Sequence, residues 1–234
     1  RFHTQTAGCS LTAQQPEINI ARTGFQGLAA VLGGTQSLHT NSMDETLALP
    51  SEKAAEIALR TQQLIACETG VTNVVDPLGG SWFLEELTNK IEEQAENYFD
   101  QINELGGVIS AIEKGYFQRE IAKAASDYQE KIDQKKRIVV GVNKFVNNGE
   151  TIDIPILEIG DEAEQKQYKD LIEMKQNRHA ETVEKALGKV QQACGRTENL
   201  VPLIVEAAKA HATLGEIVDV MKKEFGEWQE TAVF

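Results

Sequence analysis

The chain has 234 residues, of which 41% are hydrophobic, and a formal net charge of −13. The apolar fraction is enough for a packed core and argues against global disorder, and the length fits one large domain or two ordinary ones. The acidity argues against nucleic acid or an anionic membrane as a partner, because the long-range field repels both. A local cluster of donors can still bind an anionic small molecule.

The cysteines indicate a reducing compartment, and the start of the chain indicates a truncation. The three cysteines, Cys9, Cys67 and Cys194, are far apart and form no C-x-x-C pair. They predict neither a disulfide framework nor a zinc site and favour the reducing cytoplasm, and we expect Cys9 to be a small buried packing residue. No apolar run approaches the roughly 20 residues that span a bilayer. The chain starts at Arg1 with dense polar sequence and no methionine, so we expect a truncated chain.

Residues 1–80 alternate short β-like runs with helical ones, which is typical of βα units on a parallel sheet. Glycine pairs and single glycines close the helices, and Ser51 is a suitable N-cap. Two such units do not make a stable domain, so we expect further strands before Arg1. The predicted elements are a strand and loop at Arg1–Gly8, a helix at Pro16–Leu32, a strand at Thr35–Ser42, a helix at Ser51–Gly70, a strand at Val71–Val75 and a turn at Asp76–Gly80.

Residues 81–234 differ in character, since they are mostly charged amphipathic helix with little chemistry. We therefore predict two regions, with a boundary at residue 80. The elements predicted for the second region are helices at Leu84–Leu105, Val108–Gln134 and Glu162–Gln192, two more helices within Glu198–Phe225, and a β-branched strand at Arg137–Val146.

Polar residues are densest in two places, which we call the first polar run (Arg1–Gln14) and the second polar run (Thr35–Glu45). Both fall where βα loops are predicted, and such loops build the active site of a βα barrel. They carry amides, hydroxyls and imidazoles, without the Ser–His or paired-carboxylate layout of hydrolases. Taken singly, His3 or His39 is more often a structural residue than a catalyst. The structural and the functional interpretation both stay open at this point.

Longer sequence segments narrow the choice. The segments HTQTAGCSLTAQQPEINIART, GGTQSLHTNSMDETLALPSEKAAEIALRTQQLI and ETGVTNVVDPLGGSWFLEELT resemble the methylmalonyl-CoA mutase family. AIEKGYFQREIAKAASDYQEKID and RIVVGVNKFV resemble the same family's region after its barrel. The resemblance is strong from Arg1 to about Val146 and looser to Phe234.

The resemblance implies a fold and an activity. We expect residues 1–80 to be the C-terminal βα units of a TIM-type (β/α)8 barrel that binds acyl-CoA, and residues 81–234 to be a mainly helical extension. The implied reaction is the interconversion of methylmalonyl-CoA and succinyl-CoA by an adenosylcobalamin-dependent radical 1,2-rearrangement. The cofactor supplies the radical chemistry, while the protein positions the substrate and excludes water.

The resemblance also implies roles for individual residues. His3 and Gln5 match the family's active-site His-x-Gln, with Gln5 facing both substrate and adenosyl group. The other matches are Gln36 and Ser37 with a pair that contacts coenzyme A, Glu45 with an acid near the adenosyl ribose, and Gly8 with a position close to the corrin. Cys9 stands where some members have tryptophan, which favours the microbial split-subunit branch.

Two expected parts of such an enzyme are not in this sequence. The substrate-binding Tyr, Arg and His group of the first barrel half and the cobalamin-binding D-x-H-x-x-G motif are absent. We therefore expect a separate small cobalamin-binding subunit as a partner, and this chain alone to be inactive. Isobutyryl-CoA mutase and 2-hydroxyisobutyryl-CoA mutase are the alternatives within the class. A non-catalytic module, in which residues 81–234 dock the small subunit or a metallochaperone, is the alternative outside it.

Overall fold

The computed structural model describes residues 1–230, which fall into two compact units, Arg1–Leu157 and 158–230. The described chain is mostly helical and contains a small parallel sheet. Strand β1 (His3–Gln5) pairs in parallel with β2 (Ser37–His39), and helix α1 (Ile18–Leu32) makes the crossover between them. This confirms the first βα unit expected from the sequence.

Helices pack against one face of the strand pair. Helix α2 (Glu52–Glu68) packs against α1, and α1 in turn contacts β2. Gly27 of α1 lets the elements approach closely, because a Cβ at this position would lie 3.0 Å from Ile65 and 3.6 Å from Leu38. Ser51 caps α2 as predicted, accepting a bond from the Ala54 amide at 3.2 Å.

The predicted strand at Val71–Val75 is wrong. Val71–Asn73 is a single 3-10 turn, preceded by Gly70 at a left-handed φ of 75°. The Asn73 amide donates to the Gly70 carbonyl at 3.0 Å, which turns the chain instead of extending it. The β-branched residues of this run favour a strand by composition, but no neighbouring strand among the described residues pairs with them.

The rest of the first unit is helical, and one predicted helix is in fact two. Helix α3 spans Trp82–Glu104 and is followed by the short α4 (Val108–Glu113) and by α5 (Tyr116–Asp133). The predicted continuous helix from Val108 to Gln134 breaks at Gly115, whose φ of 67° is left-handed and cannot continue an α-helix.

The predicted strand at Arg137–Val146 is also wrong. This segment is a compact loop around the side chain of Asn143, which accepts from the Val139 amide at 2.8 Å and donates to the carbonyls of Ile132 and Arg137 at 3.0 and 2.7 Å. Gly141 turns the chain at a φ of 82°, and one isolated bridge joins Val140 to Lys144. An Asn side chain that satisfies local backbone groups replaces the ladder of a strand.

The second unit contains four helices in its described part, α6 (Asp161–Asn177), α7 (Ala180–Cys194), α8 (Leu200–Lys209) and α9 (Leu214–Phe225). The last two confirm the prediction for Glu198–Phe225. The continuous helix predicted at Glu162–Gln192 is wrong, because Arg178 and His179 are extended. The core of this unit consists of Ala186, Val190, Cys194, Ala207 and Ile217.

No helix within residues 1–230 combines the length and apolarity needed to cross a membrane. The closed barrel and the boundary at residue 80 stay predictions, since the sheet of the described residues has two strands.

Candidate functional site

The register of the sheet places four polar side chains on one face. His3 lies opposite Ser37 and Gln5 lies opposite His39, while Thr4 opposes Leu38 on the other face. Leu38 packs towards α1, so the face that carries the four polar residues points away from the helices. All four are exposed. We call these residues the strand-face group.

His3 and Ser37 are in direct contact. The His3 Nδ1 atom lies 2.7 Å from the Ser37 hydroxyl oxygen, which is a hydrogen bond across the strands. When the hydroxyl donates to Nδ1, the Nε2 atom of the imidazole carries the proton and is a free donor. Two of the residues that the resemblance assigned to the substrate therefore lie side by side.

Gln36 directly precedes β2, at the opposite end of the strand from the loop that carries Asn41 and Glu45. Its side-chain oxygen accepts from the Phe2 amide at 2.7 Å, and its side-chain nitrogen donates to the Gly34 carbonyl at 2.6 Å. The Gln36 amide group therefore joins the start of β1 to the turn before β2. It is adjacent to Ser37 along the chain, and its NH2 group keeps a second N–H.

A second group of residues lies beyond the carboxyl ends of the strands. The hydroxyl of Thr6 donates to the Asn41 side-chain oxygen and accepts from the Asn41 amide at 2.9 Å. The Asn41 side-chain nitrogen donates to Glu45 Oε2. Thr6 and Asn41 are buried, whereas Glu45 is exposed. We call Thr6, Asn41 and Glu45 the strand-end group.

Gly8 lies against the strand-end group. A Cβ on Gly8 would collide with Glu45 Oε1 and would lie 3.2 Å from the Asn41 side-chain nitrogen. The space next to Gly8 is therefore taken up by this chain's own carboxylate. Glycine is needed here so that Glu45 can keep its bond to Asn41.

Asp44 holds the loop that carries Glu45. Its carboxylate is fully buried and accepts from the Ser42 hydroxyl at 2.6 Å and from the Ser51 amide at 2.9 Å. Its backbone carbonyl accepts from the amides of Leu47 and Ala48. Asp44 is therefore a structural residue, while its neighbour Glu45 presents a carboxylate to solvent.

Asn19 links the two polar runs. Its side-chain nitrogen donates to the carbonyls of Thr12 and Met43, both at 2.9 Å, and its oxygen accepts from the Thr12 amide at 3.1 Å. Arg22 donates to the same oxygen at 2.8 Å and to the Val140 carbonyl at 2.7 Å. Asn19 thus fixes the loop after β1 to the loop after β2, and Arg22 adds the loop around Asn143.

The resemblance gave roles to six residues, namely His3, Gln5, Gly8, Gln36, Ser37 and Glu45. No role was expected for Thr6, Asn41 or Asn19. Thr6 and Asn41 were part of the polar runs, and their burial could not be read from composition. Asn19 falls on the apolar side of the predicted helix and is fully buried in the structure. A polar amide at such a position was the one sign in the sequence that it has a special role. Cys9, expected to be buried, is exposed because the 3-10 turn at Gly8–Ser10 points it outward.

Residues 1–230 contain no cluster of three or more His, Cys, Asp or Glu that could hold a metal ion. The carboxyl group with a strongly lowered pKa, Glu216, lies in the second unit and not in the candidate site. In the second unit, hydrogen bonds from Arg178 lower the pKa of Glu216 to about 2, with Thr213 adding two more bonds from the cap of α9. That pair is structural.

The arrangement offers neutral donors and acceptors on the strand face and one carboxylate beyond the strand ends. The strand-face group offers two imidazoles, one amide and one hydroxyl, and Glu45 Oε1 accepts no hydrogen bond from the described residues. A carboxylate oxygen with free acceptor capacity can accept hydrogen bonds from hydroxyl groups of a ligand. The strand-face group and the strand-end group together form the candidate site.

A parallel strand pair with helices on one face and polar side chains at its carboxyl ends defines a βα unit with a candidate ligand site. The chain belongs to the methylmalonyl-CoA mutase family, because residues 1–227 match the family described as Methylmalonyl-CoA mutase.

Individual relatives agree with this assignment. The chain is 42% identical to the 2-hydroxyisobutanoyl-CoA mutase large subunit of Aquincola tertiaricarbonis, over all of this chain and 42% of that protein. It is 43% identical to the methylmalonyl-CoA mutase of Rhizobium meliloti (strain 1021), and 43% identical to that of Escherichia coli (strain K12). Each match covers 97% of this chain and 32% of the relative. The chain thus spans less than half the length of these relatives.

Proposed function

We propose that this chain is part of the catalytic subunit of an adenosylcobalamin-dependent mutase, an isomerase that interconverts methylmalonyl-CoA and succinyl-CoA. The observation that carries the proposal is the geometry of the two polar runs in a chain of this family. His3 and Ser37 pair on the strand face, and Glu45 presents a free carboxylate oxygen beyond the strand ends. The two β-strands are then neighbours in a (β/α)8 barrel, with residues 1–80 as its C-terminal units.

The strand-face group is the proposed substrate side. His3, with Nδ1 bonded to Ser37, can donate from Nε2 to an acyl-CoA, and Ser37 lies next to it. Gln36, which the resemblance placed in contact with coenzyme A, lies next to Ser37 along the chain. Because its amide bonds to the Phe2 amide and the Gly34 carbonyl, it sets the level of β2 against β1.

The strand-end group is the proposed cofactor side. Adenosylcobalamin supplies the radical chemistry when bound, and this chain's residues hold and shield it. Glu45 accepts hydrogen bonds from the ribose through Oε1, while Asn41 fixes Oε2. Gly8 keeps the space in which Glu45 adopts that position.

A small cobalamin-binding subunit is the proposed partner. The Aquincola tertiaricarbonis relative is named as a large subunit, which implies a smaller one in that protein. The same relative supports a second candidate function, the rearrangement of 2-hydroxyisobutanoyl-CoA. It is as similar to this chain as the methylmalonyl-CoA mutases are, so overall identity does not separate the two substrates.

The test is turnover by the whole protein, supplied with adenosylcobalamin and the small subunit. Rates are compared on methylmalonyl-CoA, isobutyryl-CoA and 2-hydroxyisobutyryl-CoA at equal concentrations. We expect the highest kcat/KM with methylmalonyl-CoA. A preference for 2-hydroxyisobutyryl-CoA supports the second candidate, and no turnover of any of the three overturns the proposed function.

A further inference from the structure

Almost every polar side chain of residues 3–6 and 36–45 has a partner within the chain. The exceptions are Gln5 and His39, whose side chains form no hydrogen bond or ion pair with any residue that the structure describes. The bonded neighbours are His3, Thr4, Thr6, Gln36, Ser37, Thr40, Asn41, Ser42, Asp44 and Glu45.

These two exceptions are not scattered. Gln5 and His39 face each other in the register of the sheet, so their side chains leave the same face at the same level. The Thr6 amide donates to the His39 carbonyl at 3.1 Å, which holds the two backbones together just beyond this pair. Both side chains are exposed. The backbone is therefore fixed, while the imidazole and the carboxamide are uncommitted.

The level of this pair lies between the two halves of the proposed site. Side chains two residues apart on a strand are separated by about 6.6 Å. His39 is one such step beyond Ser37, on the substrate side, and precedes Asn41 and Glu45 on the cofactor side. A ligand group that bridges the two sides must pass Gln5 and His39.

Such a ligand also excludes water from the pair. An amide or imidazole that loses water without gaining a partner is destabilising, so the ligand must supply hydrogen-bonding groups. Both side chains can donate and accept. The oxygen atoms of an acyl group are acceptors that match an N–H donor from each of the two side chains.

We propose that His39 contacts the substrate and acts together with Gln5, the two side chains binding the oxygen atoms of the acyl group of the acyl-CoA. The inference rests on the proposed function and adds His39 to the residues that the family resemblance named. It assigns no role to His39 in the stability of the chain.

The experiment measures kcat, KM for methylmalonyl-CoA and Tm in the whole protein with adenosylcobalamin and its small subunit. The variants are His39→Ala, His39→Gln, Gln5→Ala and the double variant Gln5→Ala/His39→Ala. The matched control is His211→Asn in the second unit, where an exposed histidine has a left-handed φ of 66° that asparagine tolerates.

Loss of one neutral hydrogen bond lowers kcat/KM about five- to ten-fold, so we expect a fall of this size for His39→Ala. His39→Gln regains part of the loss because it keeps a side-chain N–H. The double variant loses less than the product of the single losses, since both residues bind one group. Tm stays within about 1 °C of the wild type, and His211→Asn keeps full activity.

A kcat/KM for His39→Ala within two-fold of an active wild type overturns the inference and leaves the proposed function intact. A loss of activity that follows a matching loss of Tm overturns it as well, because His39 is then structural. An inactive wild type on all three acyl-CoAs overturns the proposed function, and the inference with it.

Discussion

Asn19 offers a direct test of how the two polar runs are held together. It is fully buried and makes four hydrogen bonds, with the amide and carbonyl of Thr12, the carbonyl of Met43 and the guanidinium of Arg22. Asn19→Ala removes all four without adding bulk. It leaves one amide and two carbonyls of the loops without their partner.

The magnitude follows from those bonds. A buried backbone group that loses its partner costs about 1 to 3 kcal/mol. Thr12 is 9% exposed, so its amide and carbonyl are poorly reached by water, whereas Met43 is half-buried and water can replace part of its bond. Alanine regains some free energy through its better helix propensity in α1, by at most about 0.7 kcal/mol. We expect a net loss of about 3 kcal/mol.

The assay is urea unfolding followed by circular dichroism, with the wild type and Asn19→Ala compared at equal concentration. In a thermal melt of the same two proteins, a loss of about 3 kcal/mol corresponds to a fall in Tm of about 6 to 12 °C for a chain of this size. Asn97→Ala, an exposed position on α3, is the matched control and changes stability by less than about 0.5 kcal/mol. A loss below about 1 kcal/mol for Asn19→Ala would refute the role of Asn19 as the link.

Two further predictions concern Glu45 and Glu216. In Gly8→Ala the new methyl group takes the place of the Glu45 carboxylate and pushes it away from Asn41. A cofactor titration is expected to show that adenosylcobalamin binds about ten-fold more weakly, with little change in stability. An unchanged affinity would contradict the packing of Gly8 against Glu45. Hydrogen bonds from Arg178 lower the pKa of Glu216 from its usual 4.5 to about 2, so the unfolded state binds the extra proton between these values. The stabilisation is therefore complete above about pH 4.5 and is lost as the pH falls through about 2. Glu216→Gln is expected to remove this slope from an acid titration of unfolding and to cost about 2 kcal/mol at pH 7, after allowance for a carboxylate that is 26% exposed; equal slopes in both proteins contradict it.

Elements with a strong local signal were predictable from the sequence. The helix ended by Gly33–Gly34 and the helix capped by Ser51 follow from chemistry within a few residues, and the structure contains both. The strands were placed correctly but made too long. Pairing depends on a neighbour, and only the segments His3–Gln5 and Ser37–His39 have one among the described residues.

The wrong predictions share a physical cause. Val71–Val75 and Arg137–Val146 are rich in β-branched residues, but a residue's preference for strands counts only when a partner strand accepts its hydrogen bonds. In the second segment, Asn143 supplies those bonds from its side chain. The breaks at Gly115 and Arg178 were missed because the apolar pattern continues across them.

Part of the candidate site was visible in the sequence. Polar composition indicated the two runs, and family resemblance gave names to residues such as His3 and Glu45. Neither source could give the pairings, because the contacts of Thr6 with Asn41 and of Asn19 with Met43 join residues 35 and 24 positions apart. Those bonds depend on the parallel register of the sheet.

The central claim is that one site has a substrate side at the strand face and a cofactor side at the strand ends. It is tested most directly by Glu45→Gln in the whole protein with its small subunit, measuring the Kd for adenosylcobalamin and the KM for methylmalonyl-CoA. Loss of a charged hydrogen-bond acceptor is expected to raise the Kd about ten-fold or more and to leave the KM within about two-fold. An unchanged Kd, or a KM that rises as much as the Kd, would contradict the division of the site.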